Sequence, residues 1–98
     1  MRSETKIYLK DSEEAINLLG LEDVHLRFLE ERIGCQIVVR GEEMTISGEG
    51  LQVKLAKAVM QQLLALVRKG NILTLADVTY VVSKVEEGSD QDMAQSLT

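Results

Sequence analysis

One continuous stretch decides the fold: GLEDVHLRFLEERIG (residues 20–34), followed by CQIVVRG (residues 35–41) and, after two glutamates, by MTISG (residues 44–48). In the first segment Leu26, Leu29 and Ile33 recur at helical spacing, with Val24 and Phe28 beside them, which predicts an amphipathic helix between two glycines. Asp23 is expected to serve as its N-cap. The next two segments alternate apolar and polar residues on either side of a glycine-led turn, which predicts a hairpin of two short strands.

The residues before this stretch predict a strand and a short helix. Thr5 to Lys10 alternates apolar and polar residues, as expected of a strand with one buried face. Asp11 offers an N-cap for a helix that ends at Gly20. We expect the apolar side of this helix to be buried, and it consists of Ala15, Ile16, Leu18 and Leu19.

Two further helices follow the hairpin. Residues 51–69 form the longest helical pattern, apolar around most of its circumference toward the end, so we expect it to pack on two sides. Thr74 precedes Asp77 by three residues, a capping-box-like arrangement that predicts the start of a final helix. The whole order predicts an α+β fold, a three-stranded sheet with helices packed on one face, plus an extra C-terminal helix.

Length, charge and composition restrict the domain number, the binding partners and the cellular compartment that we expect. A chain of 98 residues suits one domain, and a net charge of -5 argues against a surface that binds nucleic acid on all sides. A single cysteine, Cys35, excludes an internal disulfide and fits a reducing compartment. No apolar run approaches the roughly 18 residues that span a bilayer. We therefore expect a cytoplasmic protein with no membrane partner.

The sequence offers little for catalysis. None of the seven glycines is followed by lysine, so a phosphate-binding P-loop is missing and we expect no ATP binding by these residues. His25 and Cys35 are the only residues of their types, and Cys35 falls on the predicted buried face of a strand, where an inert thiol is expected. The acidic pairs, such as Glu13 with Glu14 and Glu30 with Glu31, are expected to face solvent. We expect no enzyme here, with no catalytic, cofactor-binding or metal-binding residues.

The order of elements resembles that of a KH-type nucleic-acid module, in which a glycine-led turn joins two helices ahead of two strands. The chain also resembles something narrower, the N-terminal KH-like domain of PhoH-family proteins. Four elements carry that resemblance: GLED (residues 20–23), LEERIG (residues 29–34), RG followed by ISG (residues 40–41 and 46–48), and VRKG (residues 67–70). It covers roughly residues 5–86 and implies a KH-like sheet of the type I order.

The resemblance also implies a larger context. PhoH-family proteins carry a P-loop ATPase domain that this chain lacks, so ATP and Mg are implied for that absent domain and not for this one. We accordingly expect residues 1–86 to form the KH-like domain and residues 87–98 to be a flexible tail or the start of a linker. The implied role is that of an accessory, RNA-contacting domain in a protein of RNA metabolism.

The expected contact site centres on the loop Gly20, Leu21, Glu22 and Asp23, which occupies the place of the KH loop GXXG that clamps the nucleic-acid backbone. Asp23 stands where that loop has its second glycine, and the two carboxylates would repel a phosphate by about 1 kcal/mol each. A helix C-cap alone would also explain Gly20, leaving a KH-shaped domain with a disabled clamp. Other candidate contacts are Arg27, Arg40 and Tyr8, so we expect single-stranded RNA to bind weakly.

A second hypothesis comes from a different class of function. The domain could be a docking module for the ATPase domain or a neighbouring subunit, with no nucleic-acid binding of its own. The predicted helix over residues 51–69 is apolar around most of its circumference, and Val38 is expected to face outward. Both features favour this hypothesis. The two hypotheses differ in whether apolar surface or positive charge dominates the open face of the sheet.

Overall fold

The computed structural model describes residues 2–97, with side chains through residue 88. Its regular elements are β1 (Arg2–Tyr8), α1 (Ser12–Leu19), α2 (Val24–Leu29), β2 (Gln36–Arg40), β3 (Glu43–Glu49), α3 (Gly50–Arg68) and α4 (Leu75–Leu97). A 3-10 turn, Leu21–Asp23, precedes α2, and a π-helical turn, Glu30–Gly34, continues it. None of the helices in the described part of the chain is long and apolar enough to cross a membrane.

The three strands form one antiparallel sheet in the order β1-β3-β2, so β3 is central and both β1 and β2 are edge strands. The register places Tyr8 opposite Glu43 and Glu43 opposite Arg40, and it places Lys6 opposite Thr45. Residues directly opposite one another share a face of the sheet. The predicted α+β class and three-stranded sheet are confirmed.

The core lies between one face of the sheet and the helices. Leu18 of α1 and Leu29 of α2 pack with Met44 and Ile46 of the central strand, and all four are fully buried. The remaining fully buried large side chains come from α3 and α4: Val59, Met60, Leu63, Val78 and Val82. Each such side chain contributes about 1.5–3 kcal/mol of hydrophobic free energy, which is why the helices stay on this face. The opposite face of the sheet stays open.

Two helix starts follow the predicted capping chemistry. The Asp11 carboxylate accepts a hydrogen bond of 2.8 Å from the backbone N–H of Glu14 at the start of α1. At α4 the Thr74 N–H donates to Asp77 over 3.0 Å, and the Asp77 N–H donates to the Thr74 hydroxyl over 3.2 Å. This reciprocal pair is a complete capping box, and both predictions are confirmed.

Other local predictions are wrong. Asp23 precedes α2, but its backbone is left-handed (φ 59°) and its side chain makes no capping hydrogen bond. Ile16, expected on the buried side of α1, is 66% exposed. Ile16 lies on the outer side of a short helix whose core side is already filled by Leu18 and Leu19.

The end of the chain is described only in part. Most side chains of the predicted tail, residues 87–98, lie outside the described residues. The boundary at residue 86 therefore stays a prediction. Cys35, by contrast, lies on the core side with 8% of its surface exposed, as predicted.

Candidate nucleic-acid interface

The loop between α1 and α2 is shaped by a close contact between Gly20 and His25. Gly20 ends α1 with φ 82°, and a Cβ at this position would lie 2.9 Å from two atoms of the His25 ring. That ring is 3% exposed, and its Nδ1 lies 3.1 Å from the carbonyl oxygen of Leu18. The imidazole thus packs on the glycine and ties α2 to the end of α1. Gly20 is required here both for its backbone angle and for its missing side chain.

His25 is a structural residue of this loop that the sequence reading missed. It lies four residues before Leu29 and eight before Ile33, both of which are buried. That spacing places His25 on the core side of α2, so the helical periodicity of the sequence could have predicted that His25 is buried. Its Nδ1 contacts a backbone carbonyl, that of Leu18.

Two successive residues of the loop have left-handed backbones. Glu22 has φ 54° and Asp23 has φ 59°, and neither is a glycine. Each such residue costs about 1–2 kcal/mol relative to a right-handed backbone. Both side chains are exposed, and the structure shows no hydrogen bond from the Asp23 side chain to the start of α2. Strain of this kind is a common property of functional loops.

Exposed apolar side chains lie in the loop and on the helices at either end of it. Leu21 is 86% exposed, and Ile16 of α1 and Val24 of α2 are the two other apolar residues that flank it in solvent. Arg27 follows Val24 by three residues and is also exposed, so it lies on a neighbouring part of the helix surface. We call Ile16, Leu21, Val24 and Arg27 the loop patch. It offers three apolar surfaces and one cation beside the carboxylates of the loop.

The other two predicted contact residues lie on the open face of the sheet. Tyr8 of β1 and Arg40 of β2 flank Glu43 of β3 in one row across the three strands. Lys6 forms an ion pair of 3.1 Å with Glu43, and Glu43 raises the pKa of Lys6. The predicted contacts thus form two groups. The loop residues and Arg27 belong to the helical layer, and Tyr8 and Arg40 belong to the sheet.

The charges on the open face balance. Its cations are Arg2, Lys6 and Arg40, and its carboxylates are Glu4, Glu43 and Glu49. Tyr8 and Val38 are its large apolar residues, 65% and 49% exposed. Neither positive charge nor apolar surface dominates. The open face therefore favours neither RNA contact nor docking.

Glu14 is a buried carboxylate, and the prediction that it faces solvent is wrong. Only 7% of its surface is exposed. It accepts hydrogen bonds of 3.0 Å from both Nε and Nη2 of Arg68, and one of 2.8 Å from the backbone N–H of Lys10. The Arg68 guanidinium is the main reason that the pKa of Glu14 lies below its ordinary value. This group joins the start of α1 to the end of α3.

Reactive and metal-binding chemistry has little support in the described residues. Burial raises the pKa of the Cys35 thiol, with a smaller contribution from the Glu30 carboxylate, which keeps it protonated and unreactive. Within the described part of the chain, no three His, Cys, Asp or Glu residues converge as metal ligands would.

Comparison with known sequences identifies relatives of one kind. A PhoH-like protein of Bacillus subtilis is 33% identical over 79 residues, which is 81% of this chain and 25% of that protein. PhoH-like proteins of Mycobacterium bovis and Mycobacterium tuberculosis are 35% identical over 83 residues, or 85% of this chain and 24% of theirs. The chain therefore spans about a quarter of the length of these relatives. No family model matches it.

Comparison with solved structures identifies the fold. A protein of unknown function from Aeropyrum pernix superposes with a TM-score of 0.71 and 15% identity, covering 98% of this chain and 52% of that one. Dim2p of Pyrococcus horikoshii gives 0.67 and 18%, covering 85% and 49%. A chain of the a/eIF2alpha–aDim2p–rRNA complex of the same organism gives 0.67 and 17%, covering 88% and 48%. The KH-like fold and the predicted resemblance to PhoH-like proteins are both confirmed.

Proposed function

We propose that this chain, a KH-like domain whose relatives are PhoH-like proteins, contacts single-stranded RNA weakly through the loop patch. The observation that carries the proposal is the exposure of Ile16, Leu21 and Val24 around a loop held in place by His25. Support comes from the structural neighbour that was solved in a complex with rRNA. An apolar surface on a fixed loop suits unpaired bases, because their faces pack on such side chains without base-pairing.

The electrostatics of the loop explain why the contact should be weak. Arg27 is the one cation of the loop patch, whereas Glu22 and Asp23 place two exposed carboxylates beside it. Affinity for single-stranded nucleic acid falls with salt in proportion to the number of phosphates neutralised, with a slope of about -0.7 for each. We therefore expect apolar contact with bases to contribute more than phosphate contact, and the salt dependence to be shallow.

The role in a longer protein extends the same proposal. Because the chain spans about a quarter of its PhoH-like relatives, the domain would act beside other segments. The resemblance implies that one of these binds and hydrolyses ATP, with Mg. In that setting a weak contact is useful, because a tethered domain holds RNA at a high effective concentration near the ATPase.

Fluorescence anisotropy with a labelled single-stranded oligonucleotide tests the proposal. Leu21→Ser removes the most exposed apolar side chain of the loop patch, and we expect it to weaken binding at least about threefold. Ile72→Ser is the matched control, since Ile72 is 90% exposed but lies between α3 and α4. Equal binding by the natural chain and Leu21→Ser would contradict the assignment of RNA to this surface.

Docking on a neighbouring domain remains a second candidate, and a specific pair of residues favours it. Ile72 lies in the link before α4 and Leu75 is the first residue of α4, and they are 90% and 42% exposed. Apolar side chains grouped in this way are typical of a contact surface. If the isolated domain shows no RNA binding at low salt, and Ile72→Ser disrupts association with the rest of a full-length PhoH-like protein, docking is the better account.

A further inference from the structure

The two edges of the sheet differ in whether their outward backbone groups have partners. On β2 the N–H of Ile37 points away from the sheet, and the carboxylate of Glu30 accepts it over 2.9 Å. Glu30 belongs to the π-helical turn just before β2, so the chain itself covers this edge. Glu30, predicted on the solvent side of its helix, is half-buried. Edge strands that are covered in this way do not pair with further strands.

On β1 the outward groups belong to the even-numbered residues. The N–H of Leu9 bonds to the carbonyl of Glu42 over 2.7 Å, in line with the β1–β3 register. Hydrogen-bonded and non-hydrogen-bonded pairs alternate along an antiparallel ladder. Ser3, Thr5 and Ile7 therefore bond to β3, whereas the backbone groups of Arg2, Glu4, Lys6 and Tyr8 point away from the sheet. The structure shows no hydrogen-bond partner for this outer row within the described residues.

The space beside β1 is open. A groove of about 600 Å³ runs along the end of the strand against the second half of α3. Its lining is mainly apolar at the base, from Ile7, Leu64 and Ala65, with Tyr8 and Lys69 at the rim. The groove leaves the edge of β1 accessible at Ile7 and Tyr8.

The side chains of β1 are complementary to those of an identical strand. We propose that β1 pairs antiparallel with β1 of a second copy of this chain, about a two-fold axis at Thr5, to form a continuous six-stranded sheet. In this register Glu4 lies opposite Lys6 of the second copy, Lys6 lies opposite its Glu4, and Arg2 lies opposite its Tyr8. Opposite charges directly across a ladder are favourable, and a guanidinium over a tyrosine ring is also attractive.

The charges also select this register over its neighbours. A shift by two residues in one direction places Glu4 opposite Glu4 and Arg2 opposite Lys6. A shift in the other direction places Lys6 opposite Lys6. Like charges directly opposite one another are destabilising, so both alternatives are disfavoured. Registers shifted by one residue pair inward-bonded residues with outward-bonded ones and leave the ladder unformed.

Covalent trapping tests the register. In the proposed pairing the two Thr5 residues form a non-hydrogen-bonded pair, with Cα atoms about 4.5 Å apart. We expect Thr5→Cys to form a disulfide-linked dimer under mild oxidation, because that distance suits a disulfide. Ser3→Cys is the matched control, since the two Ser3 residues would be about 13 Å apart along the ladder. Equal cross-linking by both variants, or none by Thr5→Cys, would overturn the proposal.

Charge reversal provides a second test that does not depend on cysteine. Sedimentation of the natural chain at about 0.5 mM should show weak self-association, as expected of a small interface. Glu4→Lys and Lys6→Glu should each abolish it alone, because each places like charges across the two-fold axis. An equimolar mixture of the two variants should associate again, because each then meets the opposite charge.

The control for net charge is Glu13→Lys, which makes the same change at an exposed residue of α1. It should leave self-association unchanged. If the two charge variants associate as well as the natural chain, or if mixing them restores nothing, β1 does not pair in this register.

Discussion

The loop patch and the outer edge of β1 are both exposed, but they are built in different ways. The loop patch is held by side-chain packing, with His25 against Gly20, and what it offers to solvent is apolar surface. The edge of β1 is held by its ladder with β3, and it offers backbone groups framed by alternating charges. The first kind of surface suits the faces of unpaired bases, and the second suits another strand. The two proposals thus assign two different partners to separate surfaces of one small domain.

The largest expected effect comes from Gly20→Ala, a substitution that should disturb the loop patch and leave the edge of β1 unchanged. Gly20→Ala forces a Cβ against the His25 ring and keeps a left-handed backbone on a non-glycine residue, so we expect a loss of about 3 kcal/mol in unfolding free energy. Urea denaturation measures this loss. At a temperature where Gly20→Ala stays folded, its affinity for RNA should fall. A double variant with Gly20→Ala and Thr5→Cys should still form the disulfide-linked dimer.

Gly41→Ala is the matched control for that variant. Gly41 also has a positive φ, of 61°, but a Cβ there meets nothing within 4 Å. It should cost only the backbone strain, about 1 kcal/mol. Equal losses for the two variants would mean that the contact with His25 contributes nothing to the loop.

Glu14 joins the start of α1 to the end of α3 and to the chain just beyond β1, because it accepts hydrogen bonds from Arg68 and from the N–H of Lys10. We expect Glu14→Ala to lower the unfolding free energy by about 2 kcal/mol, since charge-assisted hydrogen bonds to a buried group are lost. Glu13→Ala removes the neighbouring exposed carboxylate and should cost less than about 0.5 kcal/mol. Thermal or urea denaturation compares the two, and equal costs would contradict a stabilising role for the ion pair between Glu14 and Arg68.

The same carboxylate predicts how stability depends on pH. Because Arg68 lowers the pKa of Glu14 in the folded state below its ordinary value of 4.5, its contribution is present above that value. It is lost as the pH falls through the folded-state pKa, since the unfolded chain then binds the proton more readily. The natural chain should therefore lose more stability than Glu14→Gln between pH 5 and the acid limit of folding. Parallel curves from urea titrations at several pH values would argue against this.

The smallest expected effect is a gain in stability from a substitution in the loop between α1 and α2. Asp23 has a left-handed backbone and makes no cap, so Asp23→Gly should raise the unfolding free energy by about 0.5–1 kcal/mol. It also removes one carboxylate from the loop patch. Adding Glu22→Lys completes a KH-like loop and should strengthen RNA binding by roughly 30-fold, as two repulsions of about 1 kcal/mol disappear. Anisotropy at two salt concentrations measures this, and unchanged affinity would place the RNA elsewhere.

Much of the fold followed from local patterns. The alternation in residues 5–10 and 35–39 predicts strands with one buried face, and Ile7 and Ile37 are indeed buried. The capping box of Thr74 and Asp77 is a contact between residues three apart, so the sequence contains both partners. Such features depend on near neighbours, and a single sequence is enough to find them.

The adjacent acidic residues show where prediction from local sequence patterns fails. Glu13 and Glu14 look alike in the sequence, as do Glu30 and Glu31. Glu14 is nonetheless buried, because Arg68 reaches it from 54 residues away. Glu30 is held by the backbone of the following strand, seven residues on. No local pattern distinguishes Glu14 from Glu13 or Glu30 from Glu31, since the hydrogen-bond partners of Glu14 and Glu30 are brought in by the tertiary fold.

The most direct test of the account is an amide NMR titration of the natural chain, with single-stranded RNA added at low protein concentration and with protein concentration then raised without RNA. RNA should shift the amides around residues 16–27 and leave those of Glu4 and Lys6 in place. Raising the protein concentration should shift Glu4 and Lys6 and leave the loop unchanged. Shifts from RNA that concentrate on β1 or the open face of the sheet, with none at the loop, would contradict the proposal that the loop patch holds RNA.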